Sequence, residues 1–411
     1  MHPSARRVLT LLLLPLAACT RAAPAQQAPA TVMPGIEVLL RDSLSLLRGR
    51  RVGLVTNQSG RDRQGRSDID LLYHAPGVKL VALFAPEHGI RGVAEAGATI
   101  VSDTDAATGL PIYSLYGAVH APTPQMLSGV DVLVYDIQDA GVRFYTYIST
   151  MGLSANAAGA AHIPFVVLDR PDPLGGTRVE GGVLDTAFRS FVGEYPIALR
   201  YGLTPGELLR YLVGTREVHV EAHVIPMDGW RRSMRYDQTG IAWISPSPNL
   251  RSVNALTLYP GTVFFEGTNL SEGRGTDAPF ELVGAGWLTD AGEIARQLNL
   301  MNMSGVRFDS TSRTVTAGQK WGGQTIPMLH VQVTDADLVK PVEIAAYMLQ
   351  VIRRRHQSEF KWITPHIDEL AGSGALRTAV DGDDVVSWLR DAQSQSRAFA
   401  DSVQPYWIYQ P

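Results

Sequence analysis

Four short apolar runs, each ending abruptly in polar or charged residues, constrain the fold of this chain most strongly. They are Val52–Val55, Leu80–Ala85, Val132–Tyr135 and Phe165–Leu168. None of them alternates between apolar and polar residues, which is the pattern of parallel strands covered on both faces. Helices predicted between them, such as Asp68–His74 and Thr150–Ala161, give a β-α-β order. The sequence therefore predicts an α/β fold with a parallel sheet whose carboxyl edge carries the ligand site.

The second half of the chain predicts a further α/β unit. A strand is expected at Met328–Val333, and apolar residues at helical spacing predict helices at Val342–Arg354 and Asp383–Ser402 that face the core. Residues 245–280 are crowded with Gly, Pro, Asn and charged residues, which is typical of a binding loop. A strand-like segment at Val218–Met227 precedes the crossing between units. We predict one domain over residues 34–228 and a second, smaller one over residues 229–411.

The first 33 residues are typical of a targeting segment and a linker rather than of a folded domain. His2, Arg6 and Arg7 precede an apolar run that closes on Cys19, the single cysteine of the chain. Residues 16–19, Leu-Ala-Ala-Cys, resemble a bacterial lipobox, so we expect residues 1–19 to be a lipoprotein signal peptide with Cys19 lipidated. An ordinary secretory peptide is the alternative, and the run is too short to span a membrane. Residues 20–33 are rich in Ala, Pro and Gln and predict a flexible tether.

Charge and missing motifs exclude several classes of function. The 36 basic and 40 acidic residues give a net charge of -4, so a nucleic-acid partner is not expected. No G-x-G-x-x-G follows the first strand, and no P-loop, H-E-x-x-H or G-x-S-x-G motif is present. His88, His120 and His162 lack ligand spacing, so we expect no metal. No cofactor is predicted.

Carboxylates at the ends of the predicted strands are the candidates for chemistry. Candidates in the first unit are Glu87, Asp136, Asp139 and Asp169, and those in the later loop region are Glu266 and Glu281. Glu87, between Pro86 and His88 after an apolar strand, is placed to act as a proton donor of raised pKa. The alternative for each of these acids is a structural role, capping a helix or binding backbone amides.

Arginines and aromatic residues accompany these acids. The arginines are Arg91, Arg143, Arg170 and Arg274, and the aromatic residues lie in Arg143–Tyr147 and at Trp243, Tyr259, Phe264 and Phe265. Guanidinium groups bind carboxylates bidentately, so this mixture suits an anionic substrate. The arginines could instead only neutralise the buried acids. The aromatic rings could pack against a sugar or simply form core.

Taken together, the motifs resemble the exo-β-N-acetylmuramidases of bacterial peptidoglycan recycling. The resemblance extends from about Gly35 to Tyr409 and rests on a series of blocks in the same order. They are residues 56–60 (TNQSG), 86–92 (PEHGIRG), 136–139 (DIQD), 141–147 (GVRFYTY), 168–171 (LDRP), 247–249 (SPN), 259–261 (YPG), 265–269 (FEGTN) and 273–276 (GRGT). Tyr201 departs from the pattern, because it stands where family members have a histidine.

The resemblance implies a Rossmann-like N-terminal domain, a second α/β domain and an active cleft between them. It implies hydrolysis that removes terminal N-acetylmuramic acid from peptidoglycan fragments in the cell envelope, with Glu87 as the leading catalytic residue. The carboxylate opposite Glu87 is left open among Asp136, Asp139 and Glu266. Substrate-binding candidates in the matching blocks are Asn57, His88, Arg91, Arg143, Tyr145, Asp169, Arg170, Asn249, Asn269 and Arg274.

Two other functions remain open at this stage. A non-catalytic lipoprotein could use the same cleft to bind cell-wall glycan. An amidase or esterase would need a catalytic nucleophile or a set of metal-binding side chains, and the sequence suggests neither. The expected contacts are a sugar substrate and, through the lipid anchor alone, a membrane.

Overall fold

A computed structural model describes residues 31–411 except residues 93, 95, 96, 99 and 100. The predicted signal peptide, Cys19 and nearly all of the predicted tether lie outside the described residues. Within these described ranges, no helix is both long and apolar enough to cross a membrane.

A seven-stranded sheet in the order β3-β4-β2-β1-β5-β6-β9 forms the first part of the molecule. All neighbouring strands are parallel except β3 and β4, which pair antiparallel. The strands are β1 (Arg51–Thr56), β2 (Lys79–Ala85), β3 (Asp103–Thr104), β4 (Pro111–Ser114), β5 (Val132–Asp136), β6 (Phe165–Leu168) and β9 (Ala222–Ile225). The four predicted strands are therefore present as β1, β2, β5 and β6. The segment predicted at Val218–Met227 is a strand only over β9.

Short helices and a hairpin complete this part. They are α1 (Gly35–Val38), α2 (Asp68–Tyr73), α3 (Thr146–Ala160), α4 (Pro205–Gly214) and the antiparallel pair β7 (Glu180–Val183) and β8 (Ala198–Arg200). Helix α4 begins with a capping box, in which Thr204 accepts from the Glu207 amide and Glu207 accepts from the Thr204 amide. Helix α3 begins four residues before the predicted start, so Thr146 lies in its first turn.

The second part combines a three-stranded antiparallel sheet with helices. The elements are α5 (Val253–Thr262), β10 (Leu282–Gly284), α6 (Ala291–Leu300), β11 (Val306–Thr314), β12 (Thr325–Val333), α7 (Pro341–Arg355), α8 (His366–Ala371), α9 (Ala375–Asp381) and α10 (Val385–Val403). The sheet order is β10-β12-β11. The strand and both helices predicted in this half are present as β12, α7 and α10. Their apolar faces are buried, as predicted.

The prediction of a continuous binding loop over residues 245–280 is wrong in its middle third. Ser252 caps α5 by accepting from the Ala255 amide, and the apolar residues after it are buried. Pro260 lies in the last turn of this helix, and its neighbour Gly261 approaches α7 so closely that a Cβ would lie 1.9 Å from the Pro341 carbonyl oxygen. The polar appearance of the segment comes from its two ends, because tertiary packing buries the helix between them.

One apolar core joins the two parts. It runs from the face of the large sheet that α3 covers to α5, α7 and the sheet β10-β12-β11. A separate core lies on the opposite face of the large sheet, under α1 and α2. The protein therefore has the predicted α/β class: a mainly parallel sheet covered on both faces, with a smaller α/β part on one of them.

Candidate active site

Glu87 follows β2 at the carboxyl edge of the large sheet, and its carboxylate is held from two sides. Its Oε2 accepts from the Thr146 hydroxyl at 2.7 Å, and its Oε1 accepts from the Gly97 amide at 3.0 Å. Thr146 reaches Glu87 because it opens α3. His88 adopts a left-handed backbone conformation with φ of 69° and directs its Nδ1 to the Ala94 carbonyl oxygen at 2.6 Å. The sharp turn after Pro86 thus leaves Glu87 at a fixed place on the edge.

A cavity of about 600 Å³ opens beside Glu87. Residues from both halves of the chain line it. The lining residues are Glu87, His88, Gly97, Tyr116, Gly117, His120, Phe144, Tyr145, Thr146, Phe191, Val192, Ser247, Tyr259, Val263, Glu266, Arg274, Phe280, His366 and Leu370. Of the predicted site residues, the fold brings five together at this cavity, namely Glu87, His88, Tyr145, Glu266 and Arg274.

Glu266 is the second acid of the cavity and is held in its ionised form. Arg274 donates to Glu266 Oε1 at 2.7 Å, and His366 Nε2 lies 3.7 Å from Oε2. Burial alone would raise the pKa of Glu266. The charges and hydrogen bonds of Arg274 and His366 outweigh that burial and lower the pKa to about 2.

A second layer of charges fixes Arg274. Its Nε lies 3.2 Å from Glu272, which also pairs with Lys320, and its guanidinium group lies 5.1 Å from the ring centre of Phe280. Lys320 donates to the carbonyl oxygens of Phe265, Glu266 and Leu270 as well. This network orients Arg274, so the Glu266 side of the cavity carries fixed charges.

Asp136 lies at the end of β5 but does not line the cavity. It is fully buried and forms an ion pair with Arg170, which also donates to the Arg61 carbonyl oxygen. Thr56, its partner residue on β1, donates to Asp68, another buried acid. Burial raises the pKa of Asp136 against the opposing effect of Arg170. This predicted carboxylate and its arginine brace neighbouring strand ends.

Asp139 is also buried away from the cavity. Its Oδ2 accepts from the Gly141 amide and from the hydroxyl of Tyr201, the residue that departs from the family pattern. Its Oδ1 has no hydrogen-bond partner within the described residues. Burial raises the pKa of Asp139 to about 6, although both of those donors oppose the rise. Tyr201 therefore contacts one of the candidate acids and lies outside the cavity lining.

Asp169 and Arg170 connect the sheet edge to other parts of the chain. Asp169 accepts from Thr204 at 2.7 Å, from the Gly206 amide at 2.8 Å and from Tyr409 at 2.6 Å. These contacts hold the start of α4 and the C-terminal segment. Burial raises the pKa of Asp169 to about 7 despite the donors around it.

Two other predicted arginines have structural partners. The side chain of Arg91 is 60% exposed and pairs with Asp105. Arg143 is fully buried and donates to the carbonyl oxygens of Ile197 and Leu370, so it joins the end of α8 to the first part of the chain. Burial lowers the pKa of Arg143 to about 9.

None of the three predicted asparagines lines the cavity beside Glu87 in the part of the chain that the structure describes. Asn57 Oδ1 accepts from the amide and the hydroxyl of Ser59, and Ser59 in turn accepts from the Gln138 amide. The Asn269 side chain donates to the Glu359 carbonyl oxygen and accepts from the Lys361 amide. Asn249 is buried and lines a separate cavity of about 460 Å³ that also includes Gly275 and Thr276. Glu281 accepts from Ser252 near the start of α5.

Several cavity residues carried no signal that marked them in the sequence. Tyr116 and His120 follow β4, Phe191 lies between β7 and β8, and His366 opens α8. They are far apart along the chain and belong to no recognisable pattern. Thr146 belongs to the family block at residues 141–147, but its role was not predicted. The structure shows that it is the first residue of α3 and donates a hydrogen bond to Glu87. Among the residues that the structure describes, no group of three His, Cys, Asp or Glu side chains is close enough to hold a metal ion.

A cavity that combines two carboxylates with aromatic side chains at the edge of an α/β sheet is the arrangement expected of glycoside hydrolases. Two sequence models of a glycoside hydrolase family match the chain and indicate the same class. The N-terminal model of the exo-β-N-acetylmuramidase NamZ matches residues 52–254, and the C-terminal model matches residues 257–409. The chain belongs to the NamZ exo-β-N-acetylmuramidase family, which confirms the resemblance found in the sequence.

Individual relatives are similar over nearly the whole chain. The peptidoglycan β-N-acetylmuramidase NamZ of Bacillus subtilis is 41% identical over 380 residues, which cover 92% of this chain and 91% of that protein. Two crystal structures of DUF1343 family proteins from Bacteroides fragilis have the same fold. One has a TM-score of 0.86 at 35% identity and covers 93% of this chain and 100% of its own. The other has a TM-score of 0.73 at 28% identity and covers 93% and 99%.

Proposed function

We propose that this protein is a glycoside hydrolase that removes N-acetylmuramic acid from the non-reducing ends of peptidoglycan fragments. The observation that carries the proposal is the pairing of Glu87 with Glu266 in one cavity, inside a chain of the NamZ family. The Bacillus subtilis relative, 41% identical, is named for this activity.

Glu87 is placed to donate the proton that the leaving sugar needs. Its carboxyl group faces the cavity, and Thr146 and the Gly97 amide fix its orientation without supplying a positive charge. When the bond between the muramic acid C1 and the glycosidic oxygen breaks, the proton of Glu87 goes to that oxygen, which leaves with the bonding electron pair. Over the complete reaction, the hydroxyl group of a water molecule bonds to C1, and the remaining proton of that water restores the protonated acid.

Glu266 is the best candidate for the group opposite Glu87. Of the three partners that the sequence left open, it alone lines the cavity in the described part of the chain. Arg274 and His366 keep it ionised, so its negative charge can stabilise the oxocarbenium-like transition state. Tyr259 also lines the cavity, and burial together with the charges of Glu266 and Glu87 raises the pKa of its hydroxyl group.

The charged end of the cavity suits the carboxylate of the muramic acid. Arg274 is the only one of the four predicted arginines that lines the cavity in the described ranges, and His366 lies beside it. We propose that the lactyl carboxylate binds on this side. A neutral N-acetylglucosaminide would not gain this interaction, which would make the site selective for the muramide.

The proposal is tested with p-nitrophenyl β-N-acetylmuramide and the matching N-acetylglucosaminide. We expect the mature protein to release p-nitrophenol from the muramide alone. Glu87→Gln should abolish that turnover, by at least about a thousandfold in kcat, while the melting temperature stays within a few degrees. Failure of the wild-type protein to hydrolyse either compound, together with binding of the muramide, would instead support a glycan-binding lipoprotein.

We further propose that Cys19 is lipidated and anchors the enzyme to a membrane of the cell envelope, on its periplasmic or extracellular side. The support is the sequence Leu16-Ala17-Ala18-Cys19 after an apolar run. Cys19→Ser should move the protein from the membrane fraction to the soluble fraction. An unchanged distribution between the fractions would contradict the proposal.

A further inference from the structure

Three aromatic side chains form a cluster on the wall of the cavity that holds Glu87. The rings of His120 and Phe191 are stacked, with their centres 4.0 Å apart and an angle of 19° between them. The Tyr116 ring lies 5.9 Å from that of Phe191 and 6.2 Å from that of His120. All three side chains line the cavity and remain partly exposed. We call Tyr116, His120 and Phe191 the aromatic cluster.

The backbone around the aromatic cluster is anchored. Ser114, the last residue of β4, donates to the Tyr116 carbonyl oxygen at 3.0 Å and accepts from the Tyr116 amide at 3.2 Å. Ser149, inside α3, donates to the Phe191 carbonyl oxygen at 2.8 Å. The backbone of Tyr116 and Phe191 is therefore fixed before any ligand arrives, which reduces the entropy cost of binding.

The aromatic cluster adjoins the catalytic acid. Tyr116 and Glu87 line the same cavity, and burial together with the charge and a hydrogen bond of Glu87 raises the pKa of the Tyr116 hydroxyl group. From Tyr116 the cluster extends to His120 and Phe191. Glu266, Arg274 and His366 form a different, charged part of the same cavity.

We infer that the aromatic cluster binds the neutral sugar that leaves, next to the terminal muramic acid. This inference rests on the proposed function. Glu87 must contact the oxygen that links the two sugars, so each sugar lies on one side of that contact. The anionic sugar gains from the cations beside Glu266. The neutral sugar gains from partly exposed rings, because its C–H faces can cover them and displace water.

Partial exposure distinguishes this cluster from ordinary core. Phe264 and Phe265, which also lie near the cavity, are fully buried. Tyr73 and His74 form an aromatic pair on the outer surface, with ring centres 5.2 Å apart and Tyr73 41% exposed. That pair belongs to α2 and its C-terminal cap, and it provides a matched control.

The experiment compares two substrates that share the muramic acid and differ in the leaving group. One is the disaccharide of N-acetylmuramic acid and N-acetylglucosamine, and the other is methyl β-N-acetylmuramide. We expect Phe191→Ala to lower kcat/KM about tenfold for the disaccharide and no more than about twofold for the methyl compound. Phe191→Tyr should restore most of the loss, and Tyr73→Ala should change neither value.

Binding to the inactive Glu87→Gln protein separates capture from chemistry. Calorimetry should show that Phe191→Ala weakens the affinity for the disaccharide about tenfold and leaves that for free N-acetylmuramic acid within about twofold. Equal losses for both ligands, or none for either, would overturn the role of the aromatic cluster while the proposed function stands. If the wild-type protein hydrolyses neither substrate, the proposed function itself is wrong.

Discussion

Glu87 and Asp136 occupy similar places in the sheet and yet have opposite surroundings. Each stands at or just after the carboxyl end of a strand that pairs with β1. Glu87 accepts neutral donors and faces the cavity, whereas Asp136 is buried in an ion pair with Arg170. The comparison shows that a strand-end carboxylate is equally suited to chemistry and to bracing the sheet edge. Access to the cavity separates the two roles.

Removing the bracing acid should have the largest effect on stability. Asp136→Ala leaves the Arg170 guanidinium group buried without its carboxylate, and we expect the free energy of unfolding to fall by about 3–5 kcal/mol. Urea denaturation measures this difference. The matched control is Asp131→Ala, which breaks an Arg–Asp pair whose side chains are 52% and 38% exposed and should cost no more than about 1 kcal/mol. Similar losses in both variants would show that the buried pair does not brace the sheet.

The burial of Asp139 should make the free energy of unfolding depend on pH. Burial raises the pKa of Asp139 from 3.8 to about 6, so the folded protein binds this proton more tightly than the unfolded chain does. The contribution of Asp139 to stability is therefore complete below about pH 4 and is lost as the pH rises through about 6. A rise of this size corresponds to about 3 kcal/mol.

Asp139→Asn should remove that loss, because an amide reproduces the protonated acid and its oxygen can accept from Gly141 and Tyr201. We expect the variant to be about as stable as the wild-type protein at pH 4 and about 3 kcal/mol more stable at pH 8, measured by urea denaturation. Tyr201→Phe should act in the opposite direction and cost more at pH 8 than at pH 4, since its hydroxyl group favours the ionised acid. A constant difference between wild type and Asp139→Asn across this range would contradict the role of burial.

The smallest expected effect, in energy, is on the acid that lines the cavity. Glu266→Gln should lower kcat for the muramide about a hundredfold, or about 2.7 kcal/mol. Stability should fall less than in Asp136→Ala, because Arg274 keeps its contact with Glu272 after the substitution. Activity assays and urea denaturation on the same preparation test both statements. A variant that unfolds easily and retains its kcat would place Glu266 with Asp136 among the bracing acids.

The sequence was informative where the signal was local. The runs that became β1, β2, β5 and β6 are continuous and strongly apolar, and Glu87 follows one of them directly. Helix α5 was missed because it contains Asn254, Pro260 and Gly261 and is flanked by further Gly, Pro and Asn residues, which together are typical of a loop. His366 and the aromatic cluster could not be found, since nothing in their neighbourhoods distinguishes them from ordinary surface residues.

Apolar runs, turn residues and motif blocks determined the α/β class and the family and marked Glu87 as the leading candidate, because strand burial and sharp turns follow from neighbouring residues. Only the tertiary structure decided which acids reach the cavity. Glu266 lies 179 residues after Glu87 in the numbering of the chain, and packing of α5 against α7 carries the segment around it to the sheet edge. Whether a carboxylate lines the cavity or is buried away from it depends on such distant contacts, and these contacts separate Glu87 and Glu266 from Asp136 and Asp139.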